Sequence, residues 1–228
     1  SLAMNPKVAT IDDRARTLLQ KAHDSTGHLG SLFRDLLSIT KMEDGTKKLP
    51  REAVNITDMV KSVVSDMQFV AASKKLSLSI AGLAPAGTAT IEQPVYVMAN
   101  PERLREVVMN LIENAIKYTP TGGITVATQG NGQEVSFSVT DTGPGIAAED
   151  QPHLFEKFYR VAKTAQTVSG TGLGLYLCRS VIESFGGHVT LSSTPGQGST
   201  FGFVLPQLTA EQVSKAERDK QVLIQPTE

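Results

Sequence analysis

Several things are scarce in this 228-residue chain, and each scarcity excludes a class of function. There is one cysteine, Cys178, so neither an internal disulfide nor a cysteine-cluster zinc site can form, and the composition fits a reducing, cytoplasmic compartment. Neither sign of charge is in excess. Lys plus Arg number 22 against 23 Asp plus Glu, a net of −1, so no global field exists to hold nucleic acid or an anionic membrane. Any anionic ligand needs a local site. No apolar run approaches the ~18 residues of a membrane span, and no charged start leads into an apolar signal segment, so direct membrane contact is not expected. Internal repeats and low-complexity tracts are lacking too. What is present is ordinary globular material, 40% hydrophobic and 20% charged. At roughly 150 residues per domain this length gives one domain with a substantial appendage, or two small ones. Residues 1–6 carry no pattern and the first residue is not Met, which reads as a processed or excised piece.

From Ile11 the positions Ile11, Ala15, Leu18, Ala22, Ser25, Leu29, Leu32, Leu36 and Ile39 alternate at spacings of four and three, a coiled-coil seam. Leu19, Phe33, Leu37 and Met42 widen it into the stripe of a bundle helix, with Gly27 and Gly30 as weak points and an end near Gly45 before Pro50. Asn55 can cap a second helix through Met59, Val63, Met67 and Val70, with Lys74 and Lys75 at its end. Residues 76–80 and 95–99 read as short strands, and Pro101 opens a helix whose broad apolar face ends before Pro120. Residues 124–128 and 135–139 pair around Gly130-Asn131-Gly132. Residues 173–185 form a helix closed by Gly186-Gly187, and a last hairpin turns across residues 195–198. The resulting fold class is α+β, a two-layer α/β sandwich with a mixed sheet and three main helices, preceded by one long amphipathic bundle helix. The boundaries are 1–48 for that helical region, 49–208 for the α/β domain and 209–228 for a charged tail, read as a frayed helix or linker.

Three polar segments interrupt this pattern. Asn110, Asn114 and Lys117 fall at helical spacings on one face, and two carboxamides with an amine suit a phosphate and its hydrated Mg²⁺, though a solvated helix face would look the same. Asp141-Thr142-Gly143-Pro144-Gly145-Ile146 follows a strand. A fixed carboxylate accepts hydrogen bonds only, so beside glycine backbone it suits the exocyclic amine of adenine and rejects the carbonyl of guanine; taken alone, it is also ordinary turn chemistry. Gly170-Thr171-Gly172-Leu173-Gly174 runs straight into a helix, a ready anion site that matches neither the Rossmann nor the phosphate-loop spacing.

The three segments in this order resemble the nucleotide-binding module of the superfamily containing sensor histidine kinases, DNA gyrase and MutL. Residues 110–118 resemble its N box, 141–146 its first glycine box, 155–160 (Phe155-Glu156-Lys157-Phe158-Tyr159-Arg160) its F box and 170–174 its second glycine box. Residues 195–200 are similar to the closing segment of histidine kinases, and the likeness spans 49–206 without large insertions. It implies ATP and Mg²⁺ as ligands. Asn114 would be the metal ligand, Lys117 and Arg160 would lie on the phosphates, Asp141 on the adenine amine, and Gly170, Thr171, Gly172, Leu173 and Gly174 would cradle the triphosphate. Tyr118, Gly143, Gly145, Ile146, Phe158 and Thr200 join the ATP-binding set, Asn110, Lys117 and Arg160 the catalytic one, and residues 159–171 would be a mobile lid. Gyrase-like members carry at position 110 a glutamate that activates water. An amide cannot take that proton, so Asn110 points to a kinase that keeps ATP intact until another nucleophile arrives.

Residues 25–45 resemble the second helix of the dimerisation hairpin, whose first helix bears the phosphoacceptor histidine. The expectation is an ATP-dependent protein-histidine kinase portion. It would pass the γ-phosphoryl to a histidine on a helix absent from this chain, for relay to a response-regulator aspartate, and would dimerise through the hairpin in the longer protein. His23-Asp24 imitates an acceptor pair but lacks a following proline, and only about 20 residues separate it from Gly45, too few for a helix, a turn and a return. His28, His153 and His188 read as surface or packing residues, and Cys178 as a small core residue. A nucleotide-sensing module without transfer and a plain ATPase of the same superfamily are the alternatives.

Overall fold

The computed structural model describes residues 12, 14–23, 26, 29, 30, 33, 50–81, 94–162 and 170–224. The chain divides into two compact units, Ser1–Lys47 with Ala162–Thr171, and Lys48–Val161 with Gly172–Glu228. In the first, residues 14–23 are helical, and so are 26, 29, 30 and 33. Asp12 starts this helix by accepting the Ala15 amide at 2.6 Å. Its apolar stripe is open to solvent at Leu18, Leu29 and Phe33, each more than 60% exposed. The expected stop near Gly45 lies outside the described residues.

The second unit begins with β1 (Glu52–Asn55), a strand the sequence pattern does not announce, paired antiparallel with β3 (Tyr96–Ala99). Between them run α1 (Ile56–Ser73), capped by Asn55 as expected, and β2 (Ser77–Ile80). The buried face of α1 is Ile56, Val60, Val63, Val64, Met67 and Ala71, so the expected stripe is rotated: Val70 is 41% exposed and lies outside it. Then come α2 (Pro101–Tyr118), the hairpin β4 (Gly123–Gly130) and β5 (Glu134–Asp141), and α3 (Gly174–Ser184). The chain closes with the hairpin β6 (His188–Thr194) and β7 (Gly198–Pro206), and α4 (Ala210–Ile224). Of the two readings of the charged tail, frayed helix or linker, the structure has a helix. Thr209 and Gln212 exchange side-chain and backbone hydrogen bonds in a capping box that starts it, and it packs on β1.

The main sheet has the order β2-β4-β5-β7-β6, with β2 parallel to β4 and the remaining pairs antiparallel. Alternation in β5 explains its two faces. Val135, Phe137, Val139 and Asp141 are buried beneath the helices, whereas Glu134, Ser136 and Thr140 face water. Phe137 stacks on Phe203 of β7 with ring centroids 4.9 Å apart. The apolar face of α2 (Leu104, Val107, Val108, Leu111, Ile112, Ala115, Ile116) completes the core. That burial anchors α2 and β5, whose polar ends carry the site.

Candidate functional site

Asn100 caps α2 and Pro101 occupies its first turn, which fixes the start of the helix and hence the direction of every later residue. With the apolar positions turned into the core, Asn110, Asn114 and Lys117 fall on the rim, each half-buried. The Asn114 amide nitrogen donates to Asn110 Oδ1 at 2.9 Å, which leaves the Asn114 oxygen as an acceptor suited to a hard cation. Gly174, the first residue of α3, sits so close that a Cβ there would lie 2.7 Å from Asn110 Nδ2 and 3.0 Å from Oδ1. The carboxamide pair is thus wedged under the amino-terminal end of α3, where free backbone amides and the helix dipole favour an anion. Leu173, fully buried, pins that end of the helix to the core.

Cations gather at the other end of α2. Burial, and then the neighbouring charges of Arg160 and Lys74, hold the Lys117 ammonium below the usual lysine range, partly offset by Glu113. Burial pushes the Tyr118 phenol up against the opposing pull of Arg160, and the Lys117 ammonium lies 5.2 Å from the centre of the Tyr118 ring. Lys74 donates to the Ile116 carbonyl at 3.2 Å, capping the helix end. A half-buried ammonium with two like charges nearby forms a place that a polyanion would relieve.

Arg160 is aimed by its predecessors. Phe158 stands at φ 66°, a left-handed conformation unusual outside glycine, and its amide donates to the Gly172 carbonyl at 3.0 Å. Gly172 is itself left-handed at φ 74°, and a Cβ there would come 2.7 Å from the Phe158 carbonyl carbon. The Tyr159 hydroxyl donates to Asp150 Oδ1 at 2.6 Å, a bond that raises the Tyr159 pKa. The Phe158 side chain is 59% exposed.

Asp141 ends β5 and is 6% exposed. Its carboxylate accepts the Gly143 amide at 2.7 Å and the Ser199 amide; burial raises its pKa, and these two bonds lower it. The following loop is docked on the β6–β7 turn. Ile146 N–H donates to Ser193 Oγ at 2.9 Å, the Gln151 amide donates to the Ile146 and Ser193 carbonyls at 3.0 Å, and Gly145 packs on the Thr194 carbonyl. Thr200 does not join this group. The register pairs it with Thr140, with the two hydroxyls 3.0 Å apart, on the sheet face opposite Asp141. Its neighbour Ser199 pairs with Asp141 and is buried, so Ser199 is the hydroxyl residue of this strand on the site's side.

One unit therefore holds Asn110, Asn114, Lys117, Tyr118, Asp141, Gly143, Gly145, Ile146, Phe158, Arg160, Gly172, Leu173 and Gly174. Gly170 and Thr171 belong to the other unit, and the expected lid falls largely on residues 163–169, outside the described residues. His23 is a solvent-exposed helical residue, His153 pairs with Glu156 at 2.9 Å, and His188 is exposed at the start of β6. His28 lies outside the described residues. Cys178 is buried with Sγ 4.0 Å from the Val107 carbonyl, and burial pushes its thiol up to about 12.

Residues 99–209 match the family described as histidine kinase-, DNA gyrase B- and HSP90-like ATPases. The circadian input-output histidine kinase CikA of Synechococcus elongatus is 32% identical over 87% of this chain and 26% of its own length. The non-motile and phage-resistance protein of Caulobacter vibrioides is 35% identical over 91% of this chain and 24% of its own. Among solved structures, full-length ShkA in complex with AMPPNP superposes with a TM-score of 0.69 at 28% identity, covering 89% of this chain and 41% of that one. The chain carries a histidine-kinase-type ATP-binding catalytic domain. The nucleotide-free catalytic domain of histidine kinase ThkA, 26% identical, superposes with a TM-score of 0.58 over 69% of this chain and 96% of that one. The chain spans only about a quarter of the length of the first two relatives. The family match includes the segment from Asn110 to Ser199 and leaves β1 and α1 outside it. Among the described residues no helix is long and apolar enough to cross a membrane.

Proposed function

We propose that this catalytic domain binds Mg·ATP and supplies its γ-phosphoryl to a histidine of a dimerisation hairpin, for relay to a response-regulator aspartate. In this reading residues 1–48 form the second helix of that hairpin, 49–208 the catalytic domain, and the open stripe around Leu18, Leu29 and Phe33 faces a second copy.

The observation that carries the reading is the Asn110–Asn114 pair held under α3. An amide in the place nearest the helix end can position a phosphate or the metal's hydration shell, but it cannot act as the base that hydrolysis requires. A bound Mg²⁺ supplies charge neutralisation on the phosphates, and the donor set fits it. Among the described residues there is no cluster of three or more carboxylate, histidine or cysteine ligands, while the Asn114 oxygen is available, as suits an ion held mainly by phosphates and water. Asp141 would accept from the adenine amine. Lys117 and Arg160 would take the phosphates and lose their mutual repulsion on doing so. With positioning and charge supplied by the protein, the phosphoryl group leaves ADP and forms a P–N bond to the imidazole.

The test uses radiolabelled ATP. The chain alone is expected to bind nucleotide without acquiring label, whereas an added or upstream-extended hairpin becomes labelled on histidine, and Asn114→Asp abolishes that labelling. Acid-labile label on the unextended chain that disappears in His23→Gln would overturn the assignment of the acceptor.

A further inference from the structure

Thr119 follows α2 directly and is 3% exposed, yet its Oγ1 has no hydrogen-bond partner among the described residues. A buried hydroxyl without a partner is a net cost to the fold. Its position says what it is for. A Cβ built on Gly143 would lie 2.7 Å from Asp141 Oδ1, 3.2 Å from the Tyr118 carbonyl and 3.4 Å from Thr119 Oγ1, so the hydroxyl and the Asp141 carboxylate flank the same glycine. Asp141 accepts only. A hydroxyl can donate, so the two place an acceptor and a donor around one glycine.

A 6-aminopurine edge is their complement, with an amine that donates next to a ring nitrogen that accepts. A 6-oxopurine shows the reverse pattern. Neither neighbouring amide donates to the hydroxyl. The Thr119 amide is already bonded to the Ala115 carbonyl at 3.1 Å as the end of the helix, and the Gly143 amide is used by Asp141.

We infer that Thr119 is a second polar group of the base pocket, donating to the purine ring acceptor beside the amine, directly or through one water, so that adenine is read by the Thr119–Asp141 pair and not by Asp141 alone. This rests on the reading of Asp141 as the adenine acceptor. It predicts an opposition between stability and binding that a purely structural threonine would not show.

The experiment compares the full chain with T119V, which keeps the shape and removes the hydroxyl, and with T119S, which keeps the hydroxyl. Calorimetry gives affinity for Mg·ATP and Mg·GTP, and melting of the nucleotide-free proteins reports the fold. T119V should bind ATP about 5- to 30-fold more weakly, the scale of one hydrogen bond lost in a buried site. Its melting temperature without nucleotide should be equal to or above the parent's, and T119S should bind like the parent. A T119V affinity within twofold of the parent's, a loss that T119S shares, or a lowered melting temperature in T119V overturns the inference. Equal affinity of the unmutated chain for ATP and GTP would instead sink the adenine assignment of Asp141, a result independent of the variants.

Discussion

Asp141 combines deep burial with a negative charge, and the two pull in opposite directions. Because burial raises its folded pKa above the unfolded value, the group favours the fold at pH below the unfolded pKa, and that advantage is lost as pH rises to the folded one. Ligand binding has the other sign, since an amine needs the ionised acceptor. Affinity for ADP should therefore fall as pH drops through a value above the ordinary carboxylate range. In Asp141→Asn that acid limb should vanish at an affinity about 2 to 3 kcal/mol poorer, measured by calorimetry across pH. An unchanged acid limb would count against Asp141 as the contact. At this scale the sequence was informative wherever chemistry is set by residue type. Asn55 and Pro101 announced their helix starts, and the Asp141 turn announced a fixed acceptor. It was uninformative wherever facing decides the role. Ser199 and Thr200 are chemically alike neighbours, and only the pairing of β7 with β5 puts one beneath the helices and the other on the opposite, partly exposed face.

Among the elements, the link between Phe158 and Gly172 sets where Arg160 stands. Gly172→Ala places a methyl against the Phe158 backbone in a left-handed conformation, so a cost of about 1 to 3 kcal/mol in stability is expected. A drop in ATP affinity should accompany it; unaltered affinity with an unaltered melting curve would show that the F-box segment is not held there. The carboxy-terminal helix gives a second test. Leu208 N–H bonds to the Tyr96 carbonyl, and α4 packs on β1, so truncation after Pro206 should lower the melting temperature by several degrees. A nucleotide affinity left intact would place α4 in stability alone. β1 was not evident from pattern, and α4 only as one of two readings, a frayed helix or a linker. The four residues of β1, Glu-Ala-Val-Asn, lack strand composition and are extended because β3 pairs with them. The tail is so charged that its helix shows only through the Thr209–Gln212 capping box, a signal the sequence did contain.

For the whole molecule, the amino-terminal helix presents large apolar side chains to solvent at Leu18, Leu29 and Phe33. Such a stripe is expected to drive self-association. Sedimentation should show dimers that dissociate on Leu18→Asp with Leu29→Asp, while nucleotide affinity, a property of the other unit, is unchanged. A monomer at all concentrations would remove the bundle reading. The periodicity foretold this helix and the catalytic core because both depend on long apolar patterns. A different use follows from Cys178. The chain's single sulfhydryl is enclosed in the core and held protonated far above neutral pH, so it should ignore maleimides under native conditions. The natural background is then already silent. Two cysteines introduced at exposed positions, one of them in place of Phe69 on the outside of α1, would carry a fluorophore or spin-label pair and make a distance ruler with Cys178 left as it is.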